Sequence, residues 1–574
     1  MAIMYTTLAV LLATAVTFAL TPYAFRLLGR TIGRNIRSRT QQRRELLLRR
    51  AAAEEQEAHE HDAQSAPATK LPESTSSDED WESVADGKTP PSAPPLTPPP
   101  PSNADFAGVI AFFHPFCNAG GGGERVLFAA LLATQHRYPR ALCIVYTGDH
   151  AASKAQILAN ARTRFNIALA PARICFLYLG TRDHVLASRY PRFTLLGQSL
   201  GSLVLGWDAV TLLAPDVLVD TMGYAFALAL SKWLFPAVPT AAYVHYPTIS
   251  TDMLASLSDE VSGRGLNAGL GKGLRGRLKH YYWRLFAKLY SRVGGSVDVV
   301  MTNSTWTQNH ITRLWAPSRR RQGKTHPITV LYPPCAVAEL EAKIPLNAAS
   351  EQKRTRNILY IAQFRPEKMH HLIIDAFHAY LLKHHNTTNT NTTNNPSPSS
   401  PPPPPQPKLI LIGSVRDASD EKLVYKLRLQ AQTLKPLGGQ VDFVINAPWP
   451  AILTHLATAS VGVNAMWNEH FGIGVVEYQA AGLVAVVNDS GGPKVDIVVP
   501  VDGEATGFLA SGVEGFADAF EAALGLGGEE GFAMRVRARR SAGRFSEEVF
   551  ARGWVGRLEG LVELRVGWAG GSEG

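Results

Sequence analysis

Short, almost wholly apolar runs recur along this chain, each followed by a longer stretch of helical periodicity, and that alternation leaves few folds open to it. In the first half the runs are Val109 to Phe113, Ala141 to Tyr146, Ile174 to Tyr178, Val217 to Val219, Thr240 to Val244 and Val297 to Thr302. A second series opens at Asn357 with NILYI and continues through KLILIGS, VDFVIN, SVGVNA and Val484 to Val487. Strands alternating with helices give α/β architecture, parallel doubly wound sheets whose ligands sit at strand carboxyl ends. Two such sheets are predicted, one after the other.

At 574 residues the chain has room for flanking segments as well. Leu8 to Leu28 is apolar and, with its flanks, about long enough to cross a bilayer; Arg26, Arg30, Arg34, Arg37, Arg39, Arg43 and Arg44 follow, which places the rest on the cytosolic side. A cleaved signal peptide is the alternative, but no basic region precedes the apolar run. Residues 1–30 are therefore expected to be a transmembrane anchor, and 31–105 a basic juxtamembrane segment followed by a disordered acidic and Pro-rich tether. Then come a domain over 106–345, a second over 346–525 with a low-complexity insertion at 384–407, and a helical tail over 526–574.

Charge is unevenly placed. Residues 1–50 hold nine Arg against one Glu and residues 51–105 twelve acids against two Lys, so the remainder carries most of the net +9 and more. A basic body suits an anionic substrate or an anionic membrane, and no nucleic-acid motif accompanies it. Phe193 to Trp207 and Phe226 to Val238 are apolar with Trp, compatible with a membrane face or with core helices. Arg264, Lys272, Arg275, Arg277 and Lys279 lie in a Gly-rich segment that reads as a solvated loop or as a contact for anionic lipid. Cys117, Cys143, Cys175 and Cys335 have no C-x-x-C spacing and suit a reduced compartment.

The stretch Asn468 to Val498, NEHFGIGVVEYQAAGLVAVVNDSGGPKVDIV, carries the chemistry. Gly472, Ile473 and Gly474 open a helix that Gly482 closes, and a glycine-flanked helix start offers free N–H groups and the positive dipole end to a phosphate. Glu469 before the turn and Glu477 on the helix accept hydrogen bonds and donate none when ionised, which suits sugar hydroxyls on either side of that phosphate. A nucleotide-sugar has this layout; a surface loop with two solvated glutamates is the bland alternative.

Five more places fall at strand carboxyl ends. The Gly120–Gly123 loop, with Gly121, Gly122 and Gly123, follows the first strand and wraps phosphate or simply turns. Asp220, His245 and Asn303-Ser304 follow later strands, and a lone histidine such as His245 is more often structural than catalytic. Arg365 and Lys368, after the first strand of the second series, can grip a diphosphate as a fork and a point charge, or stand solvated.

Taken together, HPFCNAGGGGERVL, FTLLGQSLGSLVLGW, DTMGYAF, YVHYPTISTDML, TNSTWT, QFRPEK, MWNEHFGIGVVE and SGGPKVDIVVP resemble the GDP-mannose-dependent α-1,2-mannosyltransferases of the dolichol-linked oligosaccharide pathway, family 4 retaining glycosyltransferases with an E-x7-E motif. The resemblance spans most of 109–510 and fails in the tether, the insertion and the tail. It implies two facing Rossmann-like domains of the GT-B type with the site between them. It implies transfer of mannose from GDP-mannose, adding the fourth and fifth mannoses to the dolichol-pyrophosphate-linked oligosaccharide at the cytosolic face of the endoplasmic reticulum membrane. By motif, Glu469 would contact the transferred mannose, Glu477 the ribose, Arg365 and Lys368 the diphosphate, and His245 the sugar or the acceptor. Asp78 to Asp80, the only D-x-D-like acids, sit in the tether, so no metal is expected to be required. Other early-pathway mannosyltransferases are candidate partners. A transferase acting on another lipid, or an inactive scaffold of the same fold, are the rival readings.

Overall fold

The computed structural model describes residues 2–65, 106–256, 273–391 and 405–570, with the backbone alone at 2–19, 58–59, 61–65, 256, 385–391 and 568–570. The helices discussed are numbered in chain order. α1 (Ala2–Ser65) is one continuous helix through Pro22 and far beyond the expected anchor, most of whose apolar side chains fall in the undescribed part. Its later turns lie on the first domain. A Cβ on Gly29 or Gly33 would stand 2.6 Å from Trp233 or 2.0 Å from the Leu234 carbonyl, so the glycines let two backbones touch. Buried Asp216 then pins the helix: its carboxylate takes Arg44 at 2.6 Å, Arg565 at 3.3 Å and the Val109 N–H at 2.9 Å.

The disordered tether is corrected for its first part. Residues 51–65 are helical, and Glu54 pairs with Arg50 one turn back and with Lys154 of the body, while Glu55 pairs with Arg173. These acids have partners to hold them; residues 66–105 lie outside the described residues.

The first sheet is wholly parallel, β1 (Val109–Phe113), β2 (Leu142–Thr147), β3 (Ile174–Tyr178), β4 (Val217–Asp220), β5 (Thr240–Val244), β6 (Val299–Thr302) and β7 (Ile328–Val330), in the order 3-2-1-4-5-6-7. Five of its strands are buried along their whole length, β1, β2, β4, β5 and β6, because helices cover both faces. α2 (Gly122–Arg137), α3 (Thr194–Leu212), α4 (Ala225–Leu234), α5 (Gly273–Gly294) and α6 (Thr305–Arg321) are the covers used below. Two of these correct the sequence reading. Gly122 and Gly123 already belong to α2 rather than to a loop, and Arg275, Arg277 and Lys279 stand on α5; Arg264 and Lys272 lie outside the described residues. Among the described residues α3 is the one helix long and apolar enough to cross a membrane; Leu205, Ala209 and Val210 pack one face on the first domain, while Leu200, Val204 and Trp207 stand exposed.

The second sheet, β8 (Ile358–Ile361), β9 (Lys408–Gly413), β10 (Gln440–Ile445), β11 (Val461–Asn464), β12 (Val484–Asn488) and β13 (Gly507–Ala510), is parallel in the order 10-9-8-11-12-13. α7 (His370–Asn391) runs into the expected insertion, whose residues 392–404 lie outside the description, and α8 (Ile473–Ala481) carries Glu477. The expected boundary at 345 moves forward: Cys335, Val337, Leu340 and Ile344 pack into the second domain's core with Val475, Val476 and Leu483. The tail is not separate either. α9 (Glu547–Gly570) returns to the first domain, stacking Trp554 on Phe112, bonding Trp554 Nε1 to Thr134 and pairing Arg125 with Glu547 and Arg137 with Glu559. An amphipathic stretch at the chain end finds its apolar partner across the domain junction.

Candidate active site

The carboxyl ends of both sheets face one cleft of about 620 Å³. From the first domain come Gly122, Gly123, His245 and Asn303; from the second come Gln363, Lys368, Asn464, Glu469, Gly472, Ile473, Gly474 and Glu477. Gly472, at φ +107°, takes the left-handed conformation that starts α8, and Gly482 at +79° stops it. The helix start therefore opens into the cleft with its dipole's positive end.

Glu469 is held from three sides. Lys368 Nζ contacts its Oε2 directly. Burial raises the Glu469 carboxyl, but the Lys368 ammonium and His470 outweigh it and hold the group below the usual carboxylate range. Its carbonyl accepts the Gly492 N–H at 2.7 Å, and a Cβ at Gly491 would stand 2.3 Å from that same carbonyl and one at Gly492 2.6 Å from Phe471 Cα, so both glycines are needed for so close an approach.

The third hold is from the other domain and grips the neighbours of Glu469. Asn468 Nδ2 donates to Asp252 Oδ2 at 2.8 Å, and His470 stacks on Tyr246 at 4.1 Å and on Trp306 at 5.4 Å. His310 lies 3.5 Å from the same Asp252 oxygen and 2.6 Å from Thr251 Oγ1. At the start of α6, Thr305 N–H donates to Asp496 at 2.9 Å, as does Tyr332 OH at 3.0 Å. None of these was singled out from sequence, since nothing local marks Asp252 or His310; Asp252 fell within the stretch YVHYPTISTDML, and His310 lies three residues beyond TNSTWT.

Glu477 is half-buried and lies within electrostatic reach of Arg125. Burial raises its carboxyl to about 6, against the Arg125 charge. His245 directs Nε2 at the Thr221 carbonyl, 3.0 Å away; a carbonyl only accepts, so Nε2 carries the hydrogen and Nδ1 is left as an acceptor. Burial lowers His245 to about 4, which keeps it neutral. Behind it the buried His114 bonds Thr221 Oγ1 at 2.7 Å, and Asp220, beneath the three N–H groups of Met222 to Tyr224, is raised by burial to about 7.

Two expected donor contacts stand differently. Gly121 does not line the cleft, and its N–H already donates to Glu124 at 2.8 Å. Arg365 is also outside the lining, about a third exposed, with Glu367 3.8 Å away. Gly122 is closely placed instead: a Cβ there would stand 2.8 Å from Ile473 Cδ1 of the opposite domain.

A family described as ALG11 mannosyltransferase N-terminus matches residues 107–315, and one described as glycosyl transferases group 1 matches 346–539. A Neurospora crassa protein named GDP-Man:Man(3)GlcNAc(2)-PP-Dol alpha-1,2-mannosyltransferase is 51% identical over 95% of this chain and 94% of its own length. The human protein of the same name is 44% identical over 79% of this chain and 87% of its own. Among solved structures, a UDP-forming α,α-trehalose-phosphate synthase from Burkholderia xenovorans and a sucrose-phosphate synthase from Thermosynechococcus elongatus each superpose with TM-score 0.53, at 12% and 14% identity, over 80% and 79% of this chain and 100% and 99% of theirs. At such identity the likeness is one of fold, and the fold is GT-B.

Proposed function

This chain belongs to the family of GDP-mannose-dependent α-1,2-mannosyltransferases of the dolichol-linked oligosaccharide pathway, and we infer that its cleft moves mannose from GDP-mannose to the trimannosyl lipid-linked acceptor. The observation that carries this reading is the Lys368–Glu469 pair beside the open start of α8. Bound donor would place its diphosphate against the Lys368 ammonium and the N–H groups at Gly472 to Gly474, drawing Lys368 partly away from Glu469. Glu469, released to accept, would hold the mannose hydroxyls, and Glu477 the ribose.

Charge grows on the diphosphate as the glycosidic bond breaks, and a fixed ammonium with a helix dipole stabilises it without a metal. His245 Nδ1 and the Asn303 amide offer neutral hydrogen bonds on the facing wall, the side open to an acceptor hydroxyl. Attack from the same face, with a departing phosphate oxygen taking the acceptor proton, keeps the α configuration. Addition of the fourth and fifth mannoses, at the cytosolic face of the endoplasmic reticulum membrane for protein N-glycosylation, is the assignment that follows from the family. The test is product analysis of the purified full chain with GDP-mannose and trimannosyl lipid acceptor. An α-1,2-mannosylated product supports the reading; transfer from UDP-glucose in preference overturns it.

A further inference from the structure

A second large cavity, about 1480 Å³ and mainly apolar, lies between α5 and α6. Its floor includes Leu196, Ala229, Phe286, Val293 and Leu314, and its rim carries Arg26, Lys288, Arg292, Arg313 and Arg321. Among the described residues no carboxylate lines it, and α4, α5 and α6 together contain no Asp or Glu. So many cations without acids around an apolar trough call for a ligand that is apolar and anionic at once.

The helix beside it is built for a lipid boundary. α5 buries Gly276, Trp283, Phe286, Ala287 and Tyr290 against the domain. Leu274, Leu278, Tyr281, Leu285 and Leu289 point the other way; at 100° per residue they fall within about 80° of one another, on the face opposite the core. Leu274 is 75% exposed and Tyr281 69%. Arg277, Arg284 and Lys288 run along one edge of that stripe. An outward apolar stripe edged with cations is the pattern of a helix lying in a membrane interface. Phe25 and Arg26 of α1, which join the groove's lining, stand within the exposed apolar row Leu20, Tyr23, Leu27 and Leu28, so two elements present apolar surface around one trough.

The groove is not part of the reacting cleft. Ser291 and Ser296, before β6, and Pro317 to Gln322, at the far end of α6, mark the amino-end side of the sheet. Trp306, at the cleft end of α6, is eleven residues before Pro317, or about 16 Å along the helix.

We propose that this groove binds an anionic phospholipid of the membrane surface, its phosphate held by the rim cations and its acyl chains on the apolar floor. The α5 stripe then rests in the same leaflet, giving the first domain a hold on the membrane besides α1. That hold fixes the cleft's height above the bilayer.

The test uses the full chain in phosphatidylcholine nanodiscs doped with a photoactivatable phosphatidylinositol or, separately, a photoactivatable phosphatidylcholine, with crosslinks mapped by peptide. The proposal expects the phosphatidylinositol probe to label the α5 and α6 peptides that line the groove in preference to the phosphatidylcholine probe. Arg313→Glu with Arg321→Glu should lower that labelling roughly tenfold or more while circular dichroism stays unchanged. Should the reversals unfold the chain, Arg313→Gln with Arg321→Gln must still lower it about threefold. Equal labelling by the two probes, or labelling indifferent to the variants, overturns the proposal. So does displacement of the probe by the isoprenoid-diphosphate acceptor alone at equimolar amounts, which would make the groove an acceptor subsite.

Discussion

The two walls of the cleft differ in kind. The second domain contributes charge: Lys368, Glu469 and Glu477, set on a loop and a helix start that Gly472, Gly491 and Gly492 fix in place. The first domain contributes neutral groups: His245 held neutral by burial, Asn303 and the bare backbone of Gly122 and Gly123. On the proposed reading this is a division of labour, in which the charged wall would take the nucleotide-sugar and the neutral wall would face the acceptor hydroxyl. The substitutions below would break that division or sharpen it.

The largest effect is expected at the charged wall. Lys368→Ala removes the cation that meets the leaving diphosphate and strands Glu469, so kcat should fall about a hundredfold to a thousandfold. Steady-state kinetics with a circular-dichroism control measures this; a loss below threefold would place the diphosphate elsewhere. His245→Ala should lower kcat about tenfold and leave GDP affinity by calorimetry near the wild-type value. Equal loss of GDP affinity in the two variants would erase the distinction between walls.

Glu477 offers a pH test with a definite sign. Its carboxyl, raised to about 6, must be ionised to accept ribose hydroxyls, so GDP-mannose affinity should weaken as pH falls through about 6. Glu477→Gln should bind roughly tenfold more weakly at pH 7.5 and lose that pH dependence. An unchanged titration in the variant would show that another group is responsible.

Stability gives a smaller effect, carried by three buried histidines, His114 and His245 in the first domain and His470 in the second. His114, His245 and His470 are lowered by burial to about 3, 4 and 4, so the unfolded chain binds protons below its ordinary histidine pKa of about 6.5 while the folded one does not. Stability is therefore whole above that value and is lost as pH falls from about 6.5 toward 4. Glu477 and Asp220, raised instead, work the other way over the acid side of their range and partly offset it. Urea unfolding at pH 7 and pH 5 should show His114→Phe less acid-sensitive than the parent by on the order of 1 kcal/mol.

The smallest effect concerns the clamp between the walls. Asp252→Ala frees Asn468 from the opposite domain without touching the donor side chains, and kcat should drop several-fold with the KM for GDP-mannose held within about twofold. A rise in that KM alone would mean the clamp serves donor binding.

Much of this was legible in the residues. Strands buried on both faces announce themselves as apolar runs, and glycines at Gly472 and Gly482 mark the start and stop of α8 because only they take its φ angles easily. Contacts made across the fold leave no local trace. Asp252 reaches Asn468 over more than two hundred residues, and Arg44, Arg565 and Val109 meet at Asp216 from three distant segments. The same cause explains the tether and the tail: Glu55 and Trp554 look like solvent-facing or free-helix residues until Arg173, Thr134 and Phe112 are brought beside them. Arg365 is the reverse case, a cation at the expected junction that is not among the residues lining the cleft and has Glu367 3.8 Å away.

The most direct measurement is a structure of the full chain with GDP-mannose bound. The account predicts the diphosphate beside Lys368 and the first turn of α8, Glu477 on the ribose and Glu469 on the mannose. Diphosphate density on the first-domain wall, away from Lys368, or Glu469 still paired with Lys368 and clear of the sugar, would contradict it.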